Sequence, residues 1–215
     1  MLAETATLLD PPHPTPLDWL TVTDAFELAC MVRCSTPPPV PRRADADPYR
    51  SGVAEFNRAD AAHRMRQLLD RLDVPVGQGL TTGGLRRRYE LHRLSVPPEH
   101  RPTYAALLAD GWRRGRRELL GGPFPGASAA RRLRWSRLAA AAWRAALLAG
   151  GRHVRRHCLG IRLADRDLAA VLVRGAALLD VPTALRPGAG CFLVVVPNGE
   201  HRARITESAE LAPTG

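Results

Sequence analysis

The sequence predicts an α/β (α+β) protein made by duplication, each half running helix, strand or strands, helix, strand or strands. Three observations carry that prediction. At an offset of 107 residues Asp60 falls on Asp167, Ala62 on Ala169, and Leu72-Asp73-Val74-Pro75 on Leu179-Asp180-Val181-Pro182. Both matched segments are helix-periodic, with a strand candidate before them and another after. Each half also opens with a helix, 17–34 in the first and 134–151 in the second, so two equivalent helices are available to pack together.

Taken in order, residues 1–16 are Pro-rich and aperiodic, a flexible arm. The 17–34 helix places Leu20, Phe26, Leu28, Cys30 and Met31 among its apolar positions. Three consecutive prolines make 34–48 a loop, because each removes a donor and fixes φ. Residues 53–56 are a short strand. The helix at 60–72 gathers Ala61, Met65, Leu68, Leu69 and Leu72 on one side and ends where Val74 precedes Pro75. GQGLTTGG (77–84) reads as a turn leading to a strand at 87–96, in which Tyr89 and Leu91 alternate with Arg88, Glu90 and His92. Pro97-Pro98 closes the first repeat, 17–98.

A helical connector follows at 99–130, its helix at 102–120 ending in the basic run WRRGRRELL. Cations in a last turn suit the helix dipole, which accounts for part of that cluster. The second repeat, 131–200, begins with an Ala-rich helix that stops at Gly150-Gly151, and Ala142, Ala145, Ala146 and Ala149 form a smooth stripe on it. The stripe suits a buried core helix; it equally suits a close helix–helix seam with 17–34. A strand at 157–163, a helix at 165–179 and a Pro/Gly turn at 186–190 come next. CFLVVV (191–196) is a continuous apolar strand expected to be buried on both faces, and 201–215 a polar tail.

All 31 basic residues are Arg, against 21 acids, for a net charge of +10. The distribution says more than the sum: residues 84–156 hold 17 Arg and 4 acids. So concentrated a basic segment is the electrostatic footprint of a nucleic-acid binder, although a solvated helical face gives the same count. No apolar run is long enough to span a bilayer and the N-terminus has no basic, then apolar, leader pattern, so a cytosolic protein without a membrane partner is expected. Four cysteines make no disulfide framework. Cys30, Cys34, His153, His157, Cys158 and Cys191 could supply zinc ligands, but no CxxC spacing supports it; buried cysteines and surface histidines are the simpler reading. No nucleophile elbow, Walker loop or HExxH is present, so no cofactor and no small-molecule substrate are expected.

The repeat order, with a small-residue helix ending in a Gly pair, resembles the LAGLIDADG homing-endonuclease fold. WRAALLAGGRHV (143–154) is similar to the degenerate motif helix in the N-terminal domain of WhiA-type sporulation regulators. The resemblance runs over about 17–196. It implies motif helices crossed at the centre and two small antiparallel sheets forming a saddle whose concave face meets DNA. It also implies a place in transcription regulation. The motif's final Ala-Asp-Gly falls on Ala149-Gly150-Gly151 and on Val32-Arg33-Cys34, so Gly150 and Arg33 stand where the family has its metal-binding acids. Cleavage in that fold needs a carboxylate at each helix end, so the resemblance implies a non-catalytic protein. WhiA-type regulators also carry a C-terminal helix-turn-helix domain, which 215 residues are not expected to hold.

The arginines on and beside the strands, Arg86, Arg88, Arg152, Arg155, Arg156 and Arg162, are the expected phosphate contacts. Arg93, Arg113, Arg114 and Arg116 are weaker candidates because their faces are ambiguous. The alternative is a protein-interaction module on the same fold, docking a transcription-related partner without touching DNA.

Overall fold

The computed structural model describes residues 18–35, 49–83, 89–122, 126–155, 158–197 and 199–209, with the side chains of 153–155 and Tyr89 excepted. The first half comprises α1 (Trp19–Ser35), β1 (Val53–Phe56), α2 (Ala59–Arg71), β2 (Gly77–Gly83) and β3 (Tyr89–Ser95). A 3-10 turn at Pro98–His100 leads into α3 (Arg101–Gly121). The second half comprises α4 (Ala129–Ala149), β4 (Gly151–Arg155), β5 (Cys158–Leu163), α5 (Arg166–Leu178), β6 (Ala184–Gly188), β7 (Cys191–Pro197) and α6 (Gly199–Ser208). The arm at 1–16 and most of the loop at 34–48 lie outside the described residues.

Two antiparallel sheets result, ordered β1-β3-β2 and β4-β5-β7-β6. The duplication is therefore visible in the topology: β1, β2 and β3 correspond to β5, β6 and β7, and β4 is an added edge strand. The matched tetrapeptides explain the helix ends. Asp73 and Asp180 both adopt left-handed backbone, at φ 54° and 56°. In each, the amide two residues past the cap bonds back to the helix, Val74 to Leu69 O at 3.0 Å and Val181 to Ala176 O at 2.9 Å. The preceding amides bond to Asp70 O and Ala177 O at 3.3 Å, completing the Schellman pattern twice. Val74 and Val181 are buried as its apolar contact, and Pro75 and Pro182 bar further helix.

Several elements depart from the expectations. GQGLTTG is β2 rather than a turn; its Thr81 and Thr82 suit extended backbone, and the strand is exposed on both faces at the sheet edge, where its glycines cost little packing. Residues 151–155, GRHVR, form β4 directly after the Gly pair. Arg186 and Pro187 lie in β6, an edge strand that tolerates a proline. In β7 only Val194 and Val196 are fully buried; Cys191, Leu193 and Val195 are half-buried on the other face, so the strand is covered from one side. In β3 the buried residue is Leu94, which puts Leu91 on the opposite parity from the core; the Tyr89 side chain lies outside the described residues. Residues 199–208 form a helix instead of a tail, anchored by buried Ile205.

Helix α1 is buried along most of its length, packing most extensively on α4 and then on α3. Ala142, Ala145 and Ala146 are fully buried and Ala149 is half-buried, so the Ala stripe is interior. A further close approach brings α3 against α1. A methyl on Gly111 of α3 would stand 2.7 Å from Ala25 Cβ, and one on Gly115 2.2 Å from the Phe26 ring, so this glycine pair lets α3 sit against α1. Phe26 in turn stacks on Trp112, ring centroids 5.9 Å apart. α5 closes on α4 through Gly175 beside Ala139, and Trp143 donates its indole N–H to Leu172 O at 3.1 Å.

Within this apolar centre Glu27 of α1 is the one buried charged residue among those described. It accepts from Arg64 of α2 through both oxygens, at 2.7 and 2.8 Å, and from Arg144 of α4 at 3.1 Å. Arg144 also donates to Ala209 O at 2.8 Å, joining the end of α6 to the same network. Replacing Glu27 with Gln keeps the shape and strands two guanidinium groups. Urea denaturation is expected to show a loss on the order of 3 kcal/mol. A loss below about 1 kcal/mol, the range of exposed pairs, would mean that water already screens the triad.

Candidate nucleic-acid interface

Pairing register decides which strand residues share a face. In β5, Leu159, Ile161 and Leu163 are buried against the helices, so Arg162, exposed between them, points to the outer face. Arg162 stands opposite Leu193 of β7, and Leu193 opposite Arg186 of β6. Two arginines thus flank one half-buried leucine in a single cross-strand row. No carboxylate occupies this outer face among the described residues. Arg186 was hidden from sequence reading by the Pro/Gly composition of 186–190, which signals a turn more strongly than an edge strand.

The first sheet carries different charge on its equivalent face. Glu55, the counterpart of Arg162 at the 107-residue offset, faces Arg93 across the β1–β3 ladder, and the two pair at 3.8 Å. Arg93 is therefore on the outer face but accompanied by an acid.

Arg152 lies elsewhere. It stands opposite Ile161, on the helix side of β4, and is exposed because β4 is the sheet edge. Arg155 is in β4 opposite Cys158, its side chain not described, and Arg86, Arg88 and Arg156 lie outside the described residues. The other described arginines of the basic segment, Arg93 aside, are dispersed over the helices. Arg113 and Arg114 pair with Asp110 at 2.8 and 2.7 Å, Arg116 with Asp167 at 3.4 Å and Arg131 with Glu118 at 3.9 Å. Arg134 lies over the Trp19 ring, 4.8 Å from its centroid. A cationic run in sequence is thus not one cationic surface in space.

The two helix-end positions differ from each other. Arg33, at the end of α1, donates to Tyr49 Oη at 2.7 Å and pairs with Asp165, and its guanidinium lies 4.0 Å from the Trp112 ring centroid. Asp165 is the N-cap of α5 and also accepts from the amides of Asp167 and Leu168 at 2.8 and 3.0 Å. Burial disfavours the charged form of Arg33, but Tyr49 and Asp165 outweigh it and raise its pKa, so the charge is fixed and internally matched.

Gly150 caps α4, its amide bonded to Ala146 O at 2.9 Å. A methyl there would stand 2.5 Å from Ala146 O and 3.1 Å from Ile161 Cγ2, so this backbone has no room for any side chain. Arg58, the N-cap residue of α2, donates to Leu147 O in the same last turn at 3.2 Å and pairs with Asp60. Arg58 and Asp165 are themselves equivalent at the 107-residue offset, and each reaches the opening helix of the other half.

The cysteines do not converge. Cys30 and Cys34 sit in α1 with burial pushing both thiols up, whereas Cys158 and Cys191 lie at opposite ends of the β5–β7 ladder. No group of three or more potential metal ligands occurs among the described residues; His157 lies outside them. No described helix is long and apolar enough to cross a membrane.

Two α/β halves with opening helices packed at the centre and small antiparallel sheets outside define the LAGLIDADG type of fold. The structure is similar to the N-terminal LAGLIDADG domain of DUF199/WhiA, with a TM-score of 0.58 and 13% identity over 90% of this chain and 84% of that one. Full-length DUF199/WhiA from Thermatoga maritima matches with a TM-score of 0.56 and 14% identity over 94% of this chain, which spans 58% of that protein. I-DmoI, solved in complex with DNA and Mn, matches with a TM-score of 0.51 and 16% identity over 91% of this chain and 99% of that one. The sequence matches no protein-family model and no curated protein.

The contact geometry at the Gly pair makes a direct test. Gly150→Asp is expected to cost about 1–3 kcal/mol in urea denaturation, because the new Cβ meets backbone that cannot rotate away. Gly151→Asp is the control, since a Cβ there meets Arg162 only at an ordinary 3.5 Å. Equal losses at both positions would refute the steric account.

Proposed function

We propose that the protein binds duplex DNA without cutting it, across the outer faces of its two sheets, and serves in transcription regulation. The observation that carries this reading is the acid-free outer face of the second sheet, where Arg162 and Arg186 flank Leu193. Guanidinium groups at such spacing suit backbone phosphates, which supply affinity and salt dependence but no sequence readout. The DNA-bound I-DmoI structure shows a neighbour of this fold engaging DNA, and the resemblance to WhiA supports a regulatory role over a nucleolytic one. Arg33 in its ion pair and Gly150 without space for a carboxylate favour a non-catalytic protein.

Fluorescence anisotropy with random duplex DNA across a salt series tests the reading. Micromolar or tighter binding at low salt is expected, weakening by roughly 0.9 log units per phosphate contact per log unit of salt. The double variant Arg162→Gln/Arg186→Gln is expected to fold normally and to flatten that slope by about 1.8, two contacts' worth. Absence of binding by the wild type at low salt would overturn the reading. Nicking of supercoiled plasmid by the wild type in Mg²⁺ or Mn²⁺ would overturn its non-catalytic part.

The half-buried Leu193 and Val195 on the same face favour one second reading, a protein partner docked there. That partner would be lost on Leu193→Asp while DNA affinity of the wild type stayed undetectable.

A further inference from the structure

We infer that β2 is an interface with a second copy of this chain, its open edge pairing antiparallel with the β2 edge of that copy about a two-fold axis. An edge strand turns every second N–H and C=O outward, a template for another strand, and chains block such edges with charge, proline or short length. Three of the four edges here are blocked in these ways. In the second sheet β4 carries Arg152, and β6 carries Arg186 and Pro187. In the first, β1 has four residues and includes Glu55. The β2 edge has none of these devices. Its seven residues, GQGLTTG, contain no charge and no proline, and all seven are in register with β3. The contrast with β6 runs position by position, since at the 107-residue offset Gly79 and Leu80 stand where the second half has Arg186 and Pro187. Among the described residues β3 is the one element that packs substantially on β2.

Charge selects the occupant. Two copies of a chain carrying +10 repel each other wherever arginines face, so they meet most cheaply where neither presents a charge. The strand is also self-complementary. Paired about its centre, Leu80 stands opposite its own copy, Gly79 opposite Thr81 and Gln78 opposite Thr82. Every cross-strand pair is then uncharged, and each contact is made twice. Leu80 is 58% exposed in the single chain, and this register covers it with the other leucine. Arg66 of α2 reaches β2 at Gln78, at 3.5 Å, two residues from that centre. The result joins two three-stranded sheets into one of six. The pairing uses the first sheet alone, so each copy keeps the Arg162–Arg186 row of its second sheet, and the inference stands independently of the DNA reading.

Sedimentation equilibrium of the full chain, without DNA and from micromolar to submillimolar concentration, tests the interface. The wild type is expected to pass from monomer to dimer over that range. Leu80→Arg sets like charges directly opposite each other across the axis and is expected to weaken the dimer by about tenfold or more. Leu185→Arg on the β6 edge is expected to leave it unchanged. Leu80 and Leu185 are both exposed, so each variant is expected to keep the wild-type far-UV circular dichroism. Gly79→Arg is a second disrupting variant, since a Cβ there meets nothing within 4 Å. The register is read by oxidation with diamide: Leu80→Cys is expected to give a disulfide-linked dimer above the wild-type background, and Gly79→Cys, opposite Thr81, is not. A wild type that remains monomeric throughout overturns the interface. So does a dimer that Leu80→Arg leaves intact, because it forms elsewhere. Larger assemblies that Leu80→Arg dissolves would mean edge pairing without closure, which overturns the two-fold pair.

Discussion

The buried Glu27 carboxylate joins the two halves at their centre. Arg33 and Gly150 occupy equivalent motif positions 117 residues apart, and the same spacing relates Glu27 to Arg144. The two partners thus sit at matching places on the two opening helices and meet at the centre of the duplication. Identical halves would set Glu against Glu or Arg against Arg there, with like charges in a desolvated site. Divergence at this one position turns repulsion into attraction, and Arg64 supplies the second cation that lets both carboxylate oxygens be satisfied. Such a triad is weak as a source of net stability, because desolvating three charges offsets most of the attraction. Its effect is to make the alternative pairings of these helices costly.

The same breaking of symmetry recurs at two further equivalent pairs. Glu55 answers to Arg162 on the sheet faces, and Asp165 answers to Arg58 at the helix ends. In the first half Arg93 meets Glu55, and Arg33 meets Asp165 of the other half. On the outer face of the second sheet Arg162 and Arg186 stand without an acid in register. The fold is pseudo-twofold but its field is not, and an anionic duplex approaching it would meet a strong side and a nearly neutral one.

How much of this was legible in sequence depended on whether the signal was local. The Leu-Asp-Val-Pro endings were readable because a Schellman cap is made by consecutive residues, and both copies carry it with Asp in left-handed backbone. The opening helices were readable, α4 from its Ala and Leu content and α1 from its apolar positions. β2 and β4 were missed because Gly-rich and Arg-rich segments become strands only when a neighbour such as β3 or β5 offers its edge. Strand faces failed for the same reason: Leu91 and Leu94 are equally apolar, and only Ala54 and Phe56 on the partner strand show which parity meets the helices. The Gly111–Gly115 contact was masked by the arginines around it, although its i, i+4 spacing was the available signal.

The arginine-rich segment shows why local charge density is a poor guide to a binding face. Of its members, Arg144 goes to the buried triad, Arg113 and Arg114 to an intrahelical acid, and Arg134 to a tryptophan ring. These cations are consumed by the fold. The ones that remain for an external anion include Arg162 and Arg186, which lie outside that segment altogether. A cation contributes to steering only when its counter-charge is not already beside it, since a neutralised pair has a field that falls off within a few ångströms. The useful quantity is therefore the set of arginines without acids in register. In this chain that set includes Arg162 and Arg186 on the second sheet. A guanidinium there can neutralise a phosphodiester and fix its position. It provides neither the carboxylate that would seat a divalent cation nor a base to activate water, which is the chemical sense in which the proposed contact holds DNA rather than cuts it.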